Sequence, residues 1–141
     1  MALKQAAAHY PSSSLDERVR VGEAQLFDVR SRDGGWNYGN ADVLGVDLPS
    51  YPETTALALV GLQGRKNLEK AFEVTDRLLL STPSPLGRAW LTIAKRLHGV
   101  TVSESEGPLP GDLMLAALEA LAAADGNHWF LKTSAQPERQ A

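Results

Sequence analysis

The chain contains no cysteine. That excludes disulfides, thiolate metal sites and cysteine nucleophiles together. It has no strong excess of either charge: the net charge is −3, which argues against a broad nucleic-acid footprint. Long hydrophobic runs are also missing. The longest apolar stretch, Leu113–Ala124, is interrupted by Glu119 and falls short of the ~20 residues a bilayer span requires. Met1–Ser14 holds one lysine and no long apolar core, so no secretion signal is read there. A soluble, cytoplasmic protein is therefore expected. What is present is ordinary for a globular chain: 141 residues, enough for one domain, with 43% hydrophobic and 22% charged residues.

Hydrophobic spacing then predicts helices. Residues 1–13 are Ala/Ser-rich and patternless, and read as a flexible arm. Ser14 and Glu17 form the pattern of a capping box, after which Leu15, Val19, Gly22, Leu26 and Val29 trace one face of a helix to about Arg30. Arg18, Arg20, Glu23 and Asp28 lie largely off that face. Gly34-Gly35 stops it, because paired glycines pay heavily in backbone entropy and readily take positive φ. A connection of about 20 residues follows, longer than ordinary loops, and so should carry packing or function. Pro52 and Glu53 suit the first turn of a second helix that is apolar on all sides, from Ala56 to Leu62, and therefore belongs inside. The third helix, Lys66–Leu80, has one apolar stripe and one charged face and belongs outside. Ser84 caps and Pro85 opens the fourth, which ends near Gly99. Asp112 caps a fifth, nearly all apolar, running to about Ala124. His128–Leu131 supplies a last apolar anchor. The expected organisation is an arm (1–13), an all-α domain of helical hairpins (14–131) and a flexible tail (132–141).

A repeat is visible within this pattern. Pro52 and Pro85 lie 33 residues apart, and at that offset Ala56 matches Ala89, Leu57 matches Trp90, Val60 matches Ile93 and Gly61 matches Ala94. A period of that size is typical of helix-hairpin repeats, which bury a core only by stacking.

The run Asp33-Gly34-Gly35-Trp36-Asn37-Tyr38-Gly39, followed by Pro52-Glu53-Thr54-Thr55-Ala56-Leu57-Ala58-Leu59, resembles the prenyltransferase/squalene oxidase repeat of the squalene–hopene cyclase-like superfamily. Ser84–Trp90 resembles a second, weaker helix opening of the same kind. The resemblance covers residues 14–100, with a fainter continuation to Phe130. It implies part of an α/α toroid, an open arc of about five helices whose inner members line a cavity. Five helices are fewer than half of those that close such a ring in the family, which favours a fragment, an open arc or a subunit.

The departures bear on chemistry. Where the family's motif places glutamine six residues before the tryptophan, this chain has Arg30, whose guanidinium can still bond loop carbonyls. The Asp-x-Asp-Asp acid motif of the cyclases, the zinc-binding cysteine of the protein prenyltransferases and a metal-bridging Asp-Asp-x-x-Asp motif are all missing. The resemblance thus implies a non-catalytic or truncated member, a binding or structural module with no cofactor, whose ligand would be apolar and isoprenoid-like. Two alternatives stand beside it. One is a cyclase or prenyltransferase completed by another chain or a missing segment, with a homo-oligomer or partner closing the ring. The other is a helical-repeat module that grips a partner peptide on an exposed apolar face.

Candidate ligand-binding residues follow from this frame. Trp36, Tyr38 and Tyr51 offer aromatic faces, although the Gly-Gly-Trp turn is first a structural device. Asp42 and Asp47 are loop carboxylates that would form a polar rim at a cavity mouth. Glu53 is a dipole partner at a helix start or, on an inner helix, a functional carboxylate with Arg88 as its pair. Trp90 is a core ring or a cavity-lining one. His9, His98 and His128 lack a ligand spacing, and His98 is explained by the helix C-terminus it occupies.

Overall fold

The computed structural model describes residues 1–39, 42–102, 111–123 and 132–133. Helices occur in the order α1 (Ala2–His9), α2 (Ser13–Asp28), α3 (Pro52–Gly61), α4 (Glu69–Ser81), α5 (Pro85–Leu97) and α6 (Leu113–Ala122). Between α2 and α3 lies a small antiparallel hairpin, β1 (Asp42–Val43) with β2 (Val46–Asp47), pairing Asp42 with Asp47 and Val43 with Val46. Leu44 and Gly45 at its tip both take positive φ, as a two-residue type I′ turn demands. The expected all-α class holds among the described residues, and no helix there is long and apolar enough to cross a membrane.

Three N-terminal expectations are corrected. The segment read as a patternless arm contains α1, an alanine-rich helix laid against α2. Lys4 fastens it: its ammonium lies 2.5 Å from Glu23 and donates to the Gln63 carbonyl at 2.8 Å. Glu23, read as lying off the buried face, is consequently a buried residue of α2. The capping box at Ser14 does not form. The N-cap of α2 is Ser12, without a side-chain cap bond, and Glu17 instead pairs with Arg20 one turn on, at 2.6 Å.

The remaining helices follow their sequence patterns closely. Ser84 caps α5 by accepting from the Gly87 amide at 3.1 Å, and Asp112 caps α6 by accepting from the Leu115 amide at 2.8 Å. On α4, Ala71, Val74 and Thr75 are buried, while Glu69, Lys70, Glu73, Asp76 and Arg77 face water. This is the outer helix its amphipathic stripe predicts.

The helices matched by the repeat, α3 and α5, lie side by side and run parallel. At their starts, Glu53 accepts from the Ser84 hydroxyl at 3.1 Å, and a Cβ on Gly87 would come within 2.7 Å of Pro52 Cβ. At their ends, His98 Nε2 sits 2.8 Å from the Leu59 carbonyl oxygen. α4 returns between them on the outside and contacts both.

Two buried clusters result. The larger joins Trp36, Leu59, Leu62, Leu68, Ala71, Leu91 and Ala94, with Leu26 and Phe27 of α2 packed against it. The smaller joins Ala89 and Ile93 of α5 to Ala122 of α6, flanked by Leu118 and Leu121. The nearly all-apolar sequence of α6 suits an interior helix. The helix is instead the last described layer, with Leu113 86% and Met114 62% exposed, because only α5 packs substantially on it among the described helices. The loop around Pro108 and the anchor His128–Leu131 lie outside the described residues. Lys132 and Thr133, in the expected tail, are tied back to α1 and to the end of α3: the Lys132 carbonyl accepts from Gln5, and the Thr133 amide donates to Gln63.

Candidate functional site

The Gly-Gly-Trp turn is the most heavily bonded irregular segment described. After α2 the chain folds back on itself, with the Ser31 amide donating to the Gly35 carbonyl at 2.9 Å and Gly34 donating to the Ser31 carbonyl at 2.9 Å. Gly34 has φ +106°, where a side chain is strained. Gly35 is required for space instead: a Cβ there would meet Ser50 Oγ at 2.5 Å and Thr55 Oγ1 at 2.8 Å.

These two glycines deliver Trp36 into the core, where it is 3% exposed. Its indole N–H donates to the Leu26 carbonyl of α2 at 2.6 Å. Its backbone amide donates to Thr55 Oγ1 at 3.0 Å, and its carbonyl accepts from Thr54 Oγ1 at 2.7 Å, both from the first turns of α3. One residue therefore rivets the end of α2 to the start of α3. Arg30 closes the arrangement. Its guanidinium lies over the indole at 5.5 Å and donates to the carbonyls of Gly34 at 2.7 Å and Asn67 at 3.3 Å. The bonding to loop carbonyls expected of Arg30 is what it does.

Beside this turn sits a polar knot that no spacing announced. The Asp33 carboxylate accepts from Ser50 Oγ at 2.5 Å, from the Gly35 amide at 3.2 Å, from the Ser50 amide at 3.4 Å and from Arg77 of α4 at 2.9 Å. Burial by itself would raise the pKa of Asp33. The hydrogen bonds from Ser50 and Gly35, with the Arg77 charge, overcome it and hold the carboxyl below its ordinary value.

The expected ligand residues are not gathered into one site. Trp36 is sealed in the core. Tyr38 and Tyr51 pair on the surface with ring centroids 5.2 Å apart, 72% and 44% exposed. Asp42 and Asp47 are backbone register partners across the hairpin, and Asp47 bonds Arg32 at 3.1 Å. Glu53 spends its described hydrogen bond on Ser84, joining two helix starts. Arg88 is exposed on the first turn of α5. Trp90 packs against both apolar clusters and bridges them.

A concave feature lies elsewhere. A cleft of about 480 Å³ is lined by Phe27 and Arg30 from α2 and its end, and by Gly64, Arg65, Lys66 and Asn67 from the α3–α4 connection. None of these belongs to the expected set. Three of the six are cations, two of them adjacent in the chain, and that adjacency was the one legible signal. Gly64 and Asn67 both take positive φ, so the connection wraps around the end of Arg30 rather than continuing either helix. No group of three or more His, Asp or Glu side chains that could hold a metal occurs among the described residues. No family profile, curated protein or solved structure matches the chain.

Proposed function

We propose that the chain is a helical-hairpin domain, arranged as part of an α/α toroid, that works as a non-catalytic binding or structural module. The observation that carries this reading is the state of Trp36. The residue most suggestive of a ligand platform is buried and fully engaged in holding α2 on α3. The parallel pairing of α3 and α5 with α4 outside supports the hairpin stack. The missing acid and metal motifs support the lack of turnover.

Incubation with squalene or a polyprenyl diphosphate tests this directly. The expected result is unchanged substrate, and catalytic product would overturn the reading. One observation favours an interaction module as the second reading: Leu113 and Met114 of α6 stand open to solvent. In that case an environment-sensitive apolar dye should brighten on the native protein, and Met114→Lys should reduce the signal.

A further inference from the structure

The cleft beside Arg30 has a chemistry that the structural role of the Gly-Gly-Trp turn does not use. Its charged lining is cationic throughout: Arg30, Arg65 and Lys66. The nearby carboxylates offset this only in part. Glu23 lies 3.7 Å from Arg65 but is shared with Lys4, which is closer at 2.5 Å. Glu69 acts on Arg30 through space, as does Asp33. Lys66 has no ion pair or hydrogen bond among the described residues and is exposed.

Arg30 is the centre of this field. Its Nη2 is shut from solvent and has no hydrogen-bond partner among the described residues. Burial lowers its pKa, yet an arginine stays protonated throughout the working range. A fixed, partly desolvated positive charge therefore stands beside the cleft without a carboxylate in contact. Such a charge interacts more strongly with an incoming anion than a fully hydrated one does. Phe27 adds a ring to the same wall, and the volume falls in the range of small-molecule sites.

We propose that this cleft binds a small organic anion, with a phosphate or carboxylate head held by Lys66 and Arg65 in the field of Arg30 and an apolar body against Phe27. The reading is independent of whether the helices belong to a toroid.

Amide chemical-shift titration tests it, with phenyl phosphate, benzoate, inorganic phosphate and benzyl alcohol as probes. Phenyl phosphate or benzoate should shift the amides of Phe27 and Gly64–Asn67, saturably, and weaken with salt. Inorganic phosphate should bind more weakly. Lys66→Gln should weaken the organic anion by about fivefold while leaving the thermal melt unchanged, and Arg65→Gln should weaken it to a similar extent. Arg30 is left intact because it also holds the turn. The proposal is overturned if no probe shifts these amides. It is equally overturned if benzyl alcohol binds as well as phenyl phosphate, or if the Lys66→Gln/Arg65→Gln double variant binds unchanged.

Discussion

Gly35 and Asp33 show how much of this protein rests on single positions around one turn. A methyl group at Gly35 has nowhere to go, since Ser50 Oγ and Thr55 Oγ1 already occupy the space. Gly35→Ala should therefore destabilise the fold by about 1–3 kcal/mol in urea denaturation, as overpacking does. Asp33 adds a pH dependence whose direction follows from its lowered pKa. A carboxyl that is more acidic folded than unfolded stabilises the folded state above its unfolded pKa, and loses that contribution as pH falls through the folded value. Asp33→Asn should accordingly be less stable than the parent at pH 7, with the gap narrowing once the pH drops below the ordinary carboxylate range. A gap that stays constant down to acid unfolding would contradict this. Sequence spacing could find the turn, because glycine pairs and tryptophan are locally informative. It could not find the Asp33–Arg77 pair, whose members are 44 residues apart and belong to no shared period.

The helix starts make a second comparison possible. Ser84 and Ser12 are both N-caps, but only Ser84 makes a side-chain cap bond, and it also donates to Glu53 across the α3–α5 junction. Ser84→Ala should cost about 0.5–2 kcal/mol in thermal or chemical melts, and Ser12→Ala close to nothing. Lys4 clamps α1 onto α2 and the end of α3. Lys4→Met leaves Glu23 buried with only the more distant Arg65 as an ionic partner, so it should lower global stability by about 1–3 kcal/mol. Amides of α1 should then exchange with solvent faster than those of α3 and α5. Proline starts, serine and aspartate caps and the stripe on α4 were all legible, because each is a property of neighbouring residues. α1 was missed because its alanines carry no periodic contrast. Glu23 was misjudged because its burial is created by Lys4 and Arg65, which come from other segments.

As a whole, the described chain is a stack in which α5 has a neighbour on either side, whereas α6 is exposed along much of one face. If copies complete a larger assembly through that face, sedimentation should give a native mass above that of one 15.2 kDa chain. Met114→Lys should then return it to the monomer. A monomer at every concentration would leave the α6 face without a partner in solution. The all-α class, the hairpin order and the distinction between inner α3 and outer α4 were determined by sequence alone, since amphipathic periodicity and capping chemistry act within one or two helical turns. The positions of the candidate ligand residues were not. The Gly-Gly-Trp pattern points first to a structural role for Trp36, but only the closing of α2 and α3 over the ring removes it from the ligand set. The cationic cleft exists only because the α3–α4 connection folds beside Arg30, some 35 positions earlier in the chain. Burial and charge proximity depend on which segments meet in space, and packing across the whole chain sets that.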